Sequence, residues 1–308
     1  MTTAPTSIPE ALEYYASAFE EIRRVRAESP EAVAQKLQAR RRRPLLQGDG
    51  KLMLVAADHP ARGALGVRDQ ATAMADRYEL LARLAIALSR PGVDGVLGTP
   101  DIIDDLALMG LLDDKIVVGS MNRGGLRGAA FEMDDRFTGY DIDSIKRDGL
   151  DFAKTLVRVN LEDPATVATL EANARAVDDA YRAQLPIMLE PFMSNWVDGK
   201  IVNDLSTEEV IKSVAIASGL GNSSAYTWMK LPVVENMEAV MASTTLPTLL
   251  LGGEPKGTPE EVFASWQKTL ALPGVRGLVV GRTLIYPHDD NVAGAVDTAV
   301  AMVHGTAS

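Results

Sequence analysis

Four ionisable side chains stand at or near the ends of short apolar runs: Asp58, Lys154, Glu190 and Lys230. Lys230 closes the run from Tyr226 to Leu231, whose aromatic and β-branched residues read as a buried strand that Pro232 stops. A lone ammonium there has no evident structural purpose. Period-two alternation puts Lys154, Leu156, Arg158 and Asn160 on one face of the run 152–159, with Thr155, Val157 and Val159 on the other. The same rule groups Met188 with Glu190, and Tyr226 and Trp228 with Lys230. On adjacent strands Lys154, Glu190 and Lys230 would meet, and two lysines beside one carboxylate leave a cation over. An ordinary lysine, with a pKa of roughly 10.4, is well under about 1% neutral at pH 7. A second cation and partial desolvation both lower that value, and a shift of about three units corresponds to roughly 4 kcal/mol. A neutral lysine so placed can form a Schiff base with a carbonyl. The alternative is a buried ion-pair network in which Glu190 only neutralises a lysine.

The elements that must position these groups follow a rhythm. Strand candidates at 51–57, 93–98, 115–119, 152–159, 186–190, 226–231, 247–252 and 277–281 alternate with amphipathic stretches of helical length. The helices fall at 69–88, 101–111, 140–146, 164–184, 207–218, 235–242, 259–270 and 290–303, several with capping residues, such as Ser206 with Glu209 or Thr258 before Pro259 and Glu261. Eight strand–helix units in roughly 250 residues predict a single α/β domain, a (β/α)8 TIM barrel. It spans residues 49–308, and residues 1–48 form an amino-terminal extension of two charged helices, 9–26 and 30–43. In a barrel the carboxyl ends of the strands carry the site, which is where Asp58, Glu190 and Lys230 fall.

The longest loop, Ser120 to Gly139, follows the third strand and carries Asn122, Arg123, Gly124, Gly125, Arg127 and Gly128; its length marks it as functional. After the seventh and eighth strands, Gly252-Gly253 and Gly281-Arg282 form small-residue turns where backbone amides can approach a ligand, and Arg282 makes phosphate the expected one. His59, directly after Asp58, either lines the pocket or flanks it, whereas His288 and His304 read as surface residues. So few histidines near strand ends argue against a metal site built on two of them.

The chain of 308 residues has 31 basic and 42 acidic residues, a net charge of −11, which argues against a nucleic-acid partner. The Arg40-Arg41-Arg42-Arg43 cluster reads as a solvated helix end whose cations complement the macrodipole. With no cysteine, disulfides, thiol chemistry and Cys-based zinc sites are excluded. Acidic residues Glu10, Glu20 and Glu21 stand where a targeting segment would be basic, and no run approaches the ~18 apolar residues of a membrane span. A cytoplasmic protein is expected, with no membrane partner.

Asp58 with Arg62-Gly63-Ala64-Leu65, then Ala153-Lys154, Pro186-Ile-Met-Leu-Glu-Pro191, Lys230-Leu-Pro-Val233 and Gly281-Arg282, resembles class I aldolases of the LacD/DeoC/DhnA type. The nearest likeness in motif is to tagatose-bisphosphate aldolase, over residues 50–305. The resemblance implies a lyase without a cofactor, acting on a phosphosugar or phosphorylated keto-acid, with dihydroxyacetone phosphate as a candidate product. It makes Lys230 the Schiff-base lysine, Glu190 the acid/base, Asp58 a carboxylate near the reacting hydroxyls and Lys154 the cation that tunes Lys230. Gly252, Gly253, Gly281 and Arg282 would hold phosphate, with Arg62, Arg123 and Arg158 as further substrate contacts. Two departures bear on the substrate. His59-Pro60-Ala61 lengthens the Asp-x-Arg-Gly connection of the tagatose enzyme, and Gly252-Gly253 replaces that enzyme's Ser-Ala-Gly turn. An extra anion site from Arg62, Arg123 or Arg127 would suit the related aldolase of inositol breakdown, which splits a phosphorylated 2-deoxy-5-keto-gluconic acid. A transaldolase-like enzyme and a non-catalytic phosphosugar-binding barrel are the rival readings. The appended helical arm and the many related barrels make a homo-oligomer the expected state.

Overall fold

In the computed structural model, residues 4–122, 125–252 and 259–305 are described. Arg123 and Gly253, two of the expected ligand contacts, lie outside them, as do Gly124 and Thr258. Eight parallel strands close on themselves: β1 (Leu52–Ala56), β2 (Gly95–Gly98), β3 (Ile116–Ser120), β4 (Phe152–Val159), β5 (Ile187–Val197), β7 (Thr227–Pro232), β8 (Thr248–Leu251) and β9 (Val275–Val280). β9 pairs with β1 and β4 with β5, so the barrel has no open edge. This is the expected (β/α)8 TIM barrel.

Alternation along the staves sorts the core into two parts. Inward residues Phe152, Met188, Trp228 and Leu249, with Leu52, Leu54 and Val118, fill the lumen, and the Phe152 and Trp228 rings meet edge to face at 5.4 Å. Outward residues, including Val157 and Val159, pack beneath the helices in a larger cluster. The helices that follow the strands are α4 (Arg77–Ser89), α5 (Pro100–Leu108), α6 (Ile142–Arg147), α7 (Ala165–Ala183), α8 (Thr207–Ser218), α9 (Met237–Ala242), α10 (Pro259–Leu270), α11 (Arg282–Ile285) and α12 (Val292–His304). α4 starts later than its pattern suggests, because Asp76 and not Asp69 accepts the first free amides, from Tyr78 and Glu79. No described helix is long and apolar enough to cross a membrane.

Two larger features also depart from expectation. The fifth strand does not stop at Glu190 but runs to Val197 and turns back as β6 (Lys200–Asn203), an antiparallel hairpin absent from the pattern-based reading. The second departure is at the barrel floor. The extension forms three helices, α1 (Ile8–Tyr14), α2 (Ala16–Glu28) and α3 (Glu31–Ala39), and the arginine cluster then leaves the helix in extended conformation. It is no solvated helix end. Arg40 is buried and donates to Asp151 (2.6 Å) and to the carbonyls of Lys115 (2.9 Å) and Gly149 (2.6 Å), while Arg43 donates to Asp94 (2.5 Å).

Parallel strands leave backbone amides exposed at their amino ends. Here the Asp94 carboxylate accepts from Met53 N and that of Asp151 from Val117 N, and the arginines neutralise both acids. His304 joins them, its ring between Asp49 (2.6 Å) and Asp94 (3.0 Å), rather than lying free on the surface.

Candidate active site

One layer above the lumen core, the next inward residue on each of β4, β5 and β7 is charged. Lys154 follows Phe152, Glu190 follows Met188 and Lys230 follows Trp228, and the registers β4–β5–β7 set the three strands side by side. Lys230 Nζ donates to Glu190 Oε1 at 2.7 Å, and Lys154 Nζ contacts Glu190 Oε2. Lys154 also donates to Asp58 Oδ2 at 3.2 Å, and Asp58 accepts from Ser120 Oγ at 3.2 Å. The result is a row of alternating sign, Asp58, Lys154, Glu190, Lys230. The expectation of a surplus cation is corrected here: Asp58, just beyond β1, supplies a second carboxylate, so these four charges balance. Ser120 is a member that the sequence reading missed, although its place at the end of β3 was the available signal.

The row is dry. Lys154 has no exposed surface, Asp58 has 1%, Lys230 4% and Glu190 9%. A small apolar cluster of Leu156, Phe192 and Leu251 lies on the mouth side of the charges, with the lumen core beneath. Burial by itself raises the pKa of the Glu190 carboxyl, but attraction and hydrogen bonds from Lys154 and Lys230 outweigh it and hold it well below the usual carboxylate range. Breaking one member of such a buried set by truncation costs on the order of 3–5 kcal/mol. The row is therefore also a structural tie across three staves.

Around the row, His59 has an imidazole pushed well below its ordinary pKa, first by burial and then by Arg282, Lys230 and Arg62. It is neutral, with Nδ1 3.7 Å from Asp58 Oδ1. Gly281 lets the chain pass close by, since a Cβ there would stand 2.6 Å from Ala56 O and 3.3 Å from the His59 ring. Arg282 opens α11 and donates to Gly66 O at 3.2 Å. Gly252 ends the β8 side of the same rim, where an added Cβ would meet Val280.

Arg62 and Arg158 take a different place. Arg158, two residues up β4 from Leu156, donates to both oxygens of Asp135 (2.8 Å each) and to Glu132 (3.1 Å). Its guanidinium is spent on tethering the loop between β3 and α6. Asn122 adds to the tether, donating to Leu156 O and accepting from Leu156 N. Arg62 stands 3.9 Å from Glu132, and its carbonyl accepts from Arg127 N, so it joins the first loop to the same tether. Burial, then Arg158, lowers the Arg62 pKa. Glu132 and Asp135, unremarked in the sequence, are what place both arginines. Among the described residues no cluster of three or more acidic or histidine side chains is arranged to hold a metal. A cavity of about 340 Å³ lined by Val233, Met237, Glu238, Lys268 and Thr269 involves none of the candidate residues.

The crystal structure of Cgl0159 from Corynebacterium glutamicum is similar to this chain at 72% identity, with TM-score 0.92 over 94% of this chain and 97% of that one. An archaeal fructose 1,6-bisphosphate aldolase shares the fold at 20% identity and TM-score 0.60, covering 89% of this chain and 99% of that one. A Schiff base forming fructose-1,6-bisphosphate aldolase does so at 21% and 0.59, covering 88% and 100%. No curated protein matches. A family model described as Cgl0159-like matches residues 50–300, which take in all eight barrel strands, and the chain belongs to that family.

Proposed function

We propose that the chain is a class I aldolase, a lyase that cleaves or forms a carbon–carbon bond in a phosphorylated ketose or keto-acid through a Schiff base on Lys230. The observation that carries the reading is the buried row itself, with an amine hydrogen-bonded to a carboxylate that a second amine also holds. The fold shared with fructose-bisphosphate aldolases supports it.

Lys230 passes a proton to Glu190 and its neutral nitrogen adds to the substrate carbonyl, giving a neutral carbinolamine. At that stage Glu190 faces one cation instead of two, its pKa rises, and it can protonate the departing hydroxyl as water. The iminium then acts as the electron sink. Glu190 takes the hydroxyl proton as the carbon–carbon bond breaks, the aldehyde leaves, and the same group returns the proton to the enamine carbon before water releases the product. Lys154 holds Glu190 and Asp58 in place throughout. Gly252, Gly281 and Arg282 are assigned the phosphate, as in many barrels after the last two strands.

A fully paired row is also what a non-catalytic phosphosugar-binding barrel would have. Incubation with dihydroxyacetone phosphate and borohydride, followed by peptide mass analysis, separates the two readings. The expected result is a reduced adduct on Lys230, whereas an unmodified Lys230 across a panel of phosphosugars and phosphorylated keto-acids would sink the aldolase reading.

A further inference from the structure

β5 leaves the barrel as the first strand of a hairpin whose turn residues, Asp198 and Gly199, have φ of 48° and 72°, the turn that matches strand twist. Residues 195–200 are exposed, and Val197 and Val202 on one face are each 48% exposed. A two-stranded ribbon is at best marginally stable alone in water. Among the described residues, no strand pairs with the far edge of β6, and such an edge is a template for another strand.

The register shows which strand fits. Asp204 N donates to Met193 O (2.9 Å), and Val202 pairs with Asn195 and Lys200 with Val197. Bonding alternates along an antiparallel ladder, so residues 200, 202 and 204 turn their backbone groups to β5, and Ile201 and Asn203 turn theirs outward. A second copy of β6 lying antiparallel on this edge must bond through Ile201 and Asn203. Three symmetric alignments do so. Centred on Ile201, Asp198 faces the Asp204 of the second copy, like charge against like. Centred on Asn203, the apolar Val202 faces that carboxylate. Centred on Val202, valine meets valine, Ile201 meets Asn203, and Lys200 faces Asp204 twice over. We propose that two copies of this chain join edge to edge through β6 in this last register, with Val202 on the two-fold axis. The exposed Val197, Val202 and Leu205 supply apolar area towards the ~800 Å² per partner that stable interfaces bury.

The chain has no cysteine, so single cysteines report the register. Val202→Cys would face itself across a non-hydrogen-bonded pair about 4.5 Å apart at Cα, within reach of a disulfide. Lys200→Cys would face Asp204. Oxidised full-length V202C should run as a disulfide dimer on a non-reducing gel and K200C as a monomer. In sedimentation, the unsubstituted chain should be a dimer whose Kd rises at least about tenfold in Lys200→Glu and recovers in the Lys200→Glu, Asp204→Lys pair. Circular dichroism establishes that each variant is folded. A monomeric native chain, a dimer indifferent to K200E, or a V202C that fails to cross-link or cross-links no better than K200C overturns the proposal.

Discussion

At the carboxyl ends of the strands Asp58, Lys154, Glu190 and Lys230 alternate in sign, and at the amino ends Arg40 pairs with Asp151 while Arg43 and His304 flank Asp94. Both sets are buried or nearly so, and both tie neighbouring staves together. Alternating buried charge is thus no mark of catalysis by itself. The difference lies in the cation. A guanidinium keeps its proton under all ordinary conditions and fits carboxylates and carbonyls with a rigid fork, as Arg40 does. An ammonium can give its proton away and become a nucleophile. The barrel closes its floor with the first kind, beside the single imidazole of His304, and has the second where chemistry is proposed.

Exchanging the cations tests that contrast most sharply. Lys230→Arg retains the charge beside Glu190 but no nucleophile, so the borohydride adduct should vanish and aldol cleavage should fall by at least about 10⁴-fold. An adduct formed elsewhere with activity retained would break the contrast at the rim. At the floor, Arg40→Met leaves Asp151 with only the exposed Arg42 as its cation and should cost up to about 3–5 kcal/mol, read as a fall in Tm of up to about 10 °C. Adduct yield per folded molecule should not change, and a parallel loss of chemistry would show that the two ends are not separable.

The smallest effect is a pH dependence. Its hydrogen bond to Asp94 is the largest influence on His304 and, with the bond to Asp49 and against partial burial, raises the imidazole pKa to about 8 from 6.5. A raised pKa means that the stabilisation is complete below about pH 6.5 and lost as pH rises through 8. The urea midpoint should fall between pH 6 and 9, and His304→Gln should flatten that fall. An unchanged slope in the variant would remove the histidine from the floor network.

The barrel was legible because period-two alternation and element order suffice to say which residues face the lumen. Lys154, Glu190 and Lys230 were legible together for the same reason, as neighbours on consecutive staves. What was not legible depended on partners distant in sequence. Arg40 to Arg43 read as a solvated helix end because the local pattern shows four cations and not the Asp151 and Asp94 they meet. Arg158 read as a ligand contact because nothing local says that Glu132 and Asp135 fold over it. The hairpin was missed for another reason. Its Asp198-Gly199 turn is a recognised signal, but the flanking residues show no alternation of apolar and polar, since one face with Val197 and Val202 is exposed and the other is only partly covered.

The arginine strap also bears on the order in which the chain can be assembled. Arg40 is made early in synthesis, yet the carboxylate that it clasps lies 111 residues further on. The floor cannot close until β2, β3 and the start of β4 have emerged and docked, so the strap is a late clasp and not a nucleus. Until then Arg26, Arg41 and Arg43 can meet Asp105, Asp114 and Asp94, and a ribosome-bound fragment ending before Asp151 carries Arg40 without its acid.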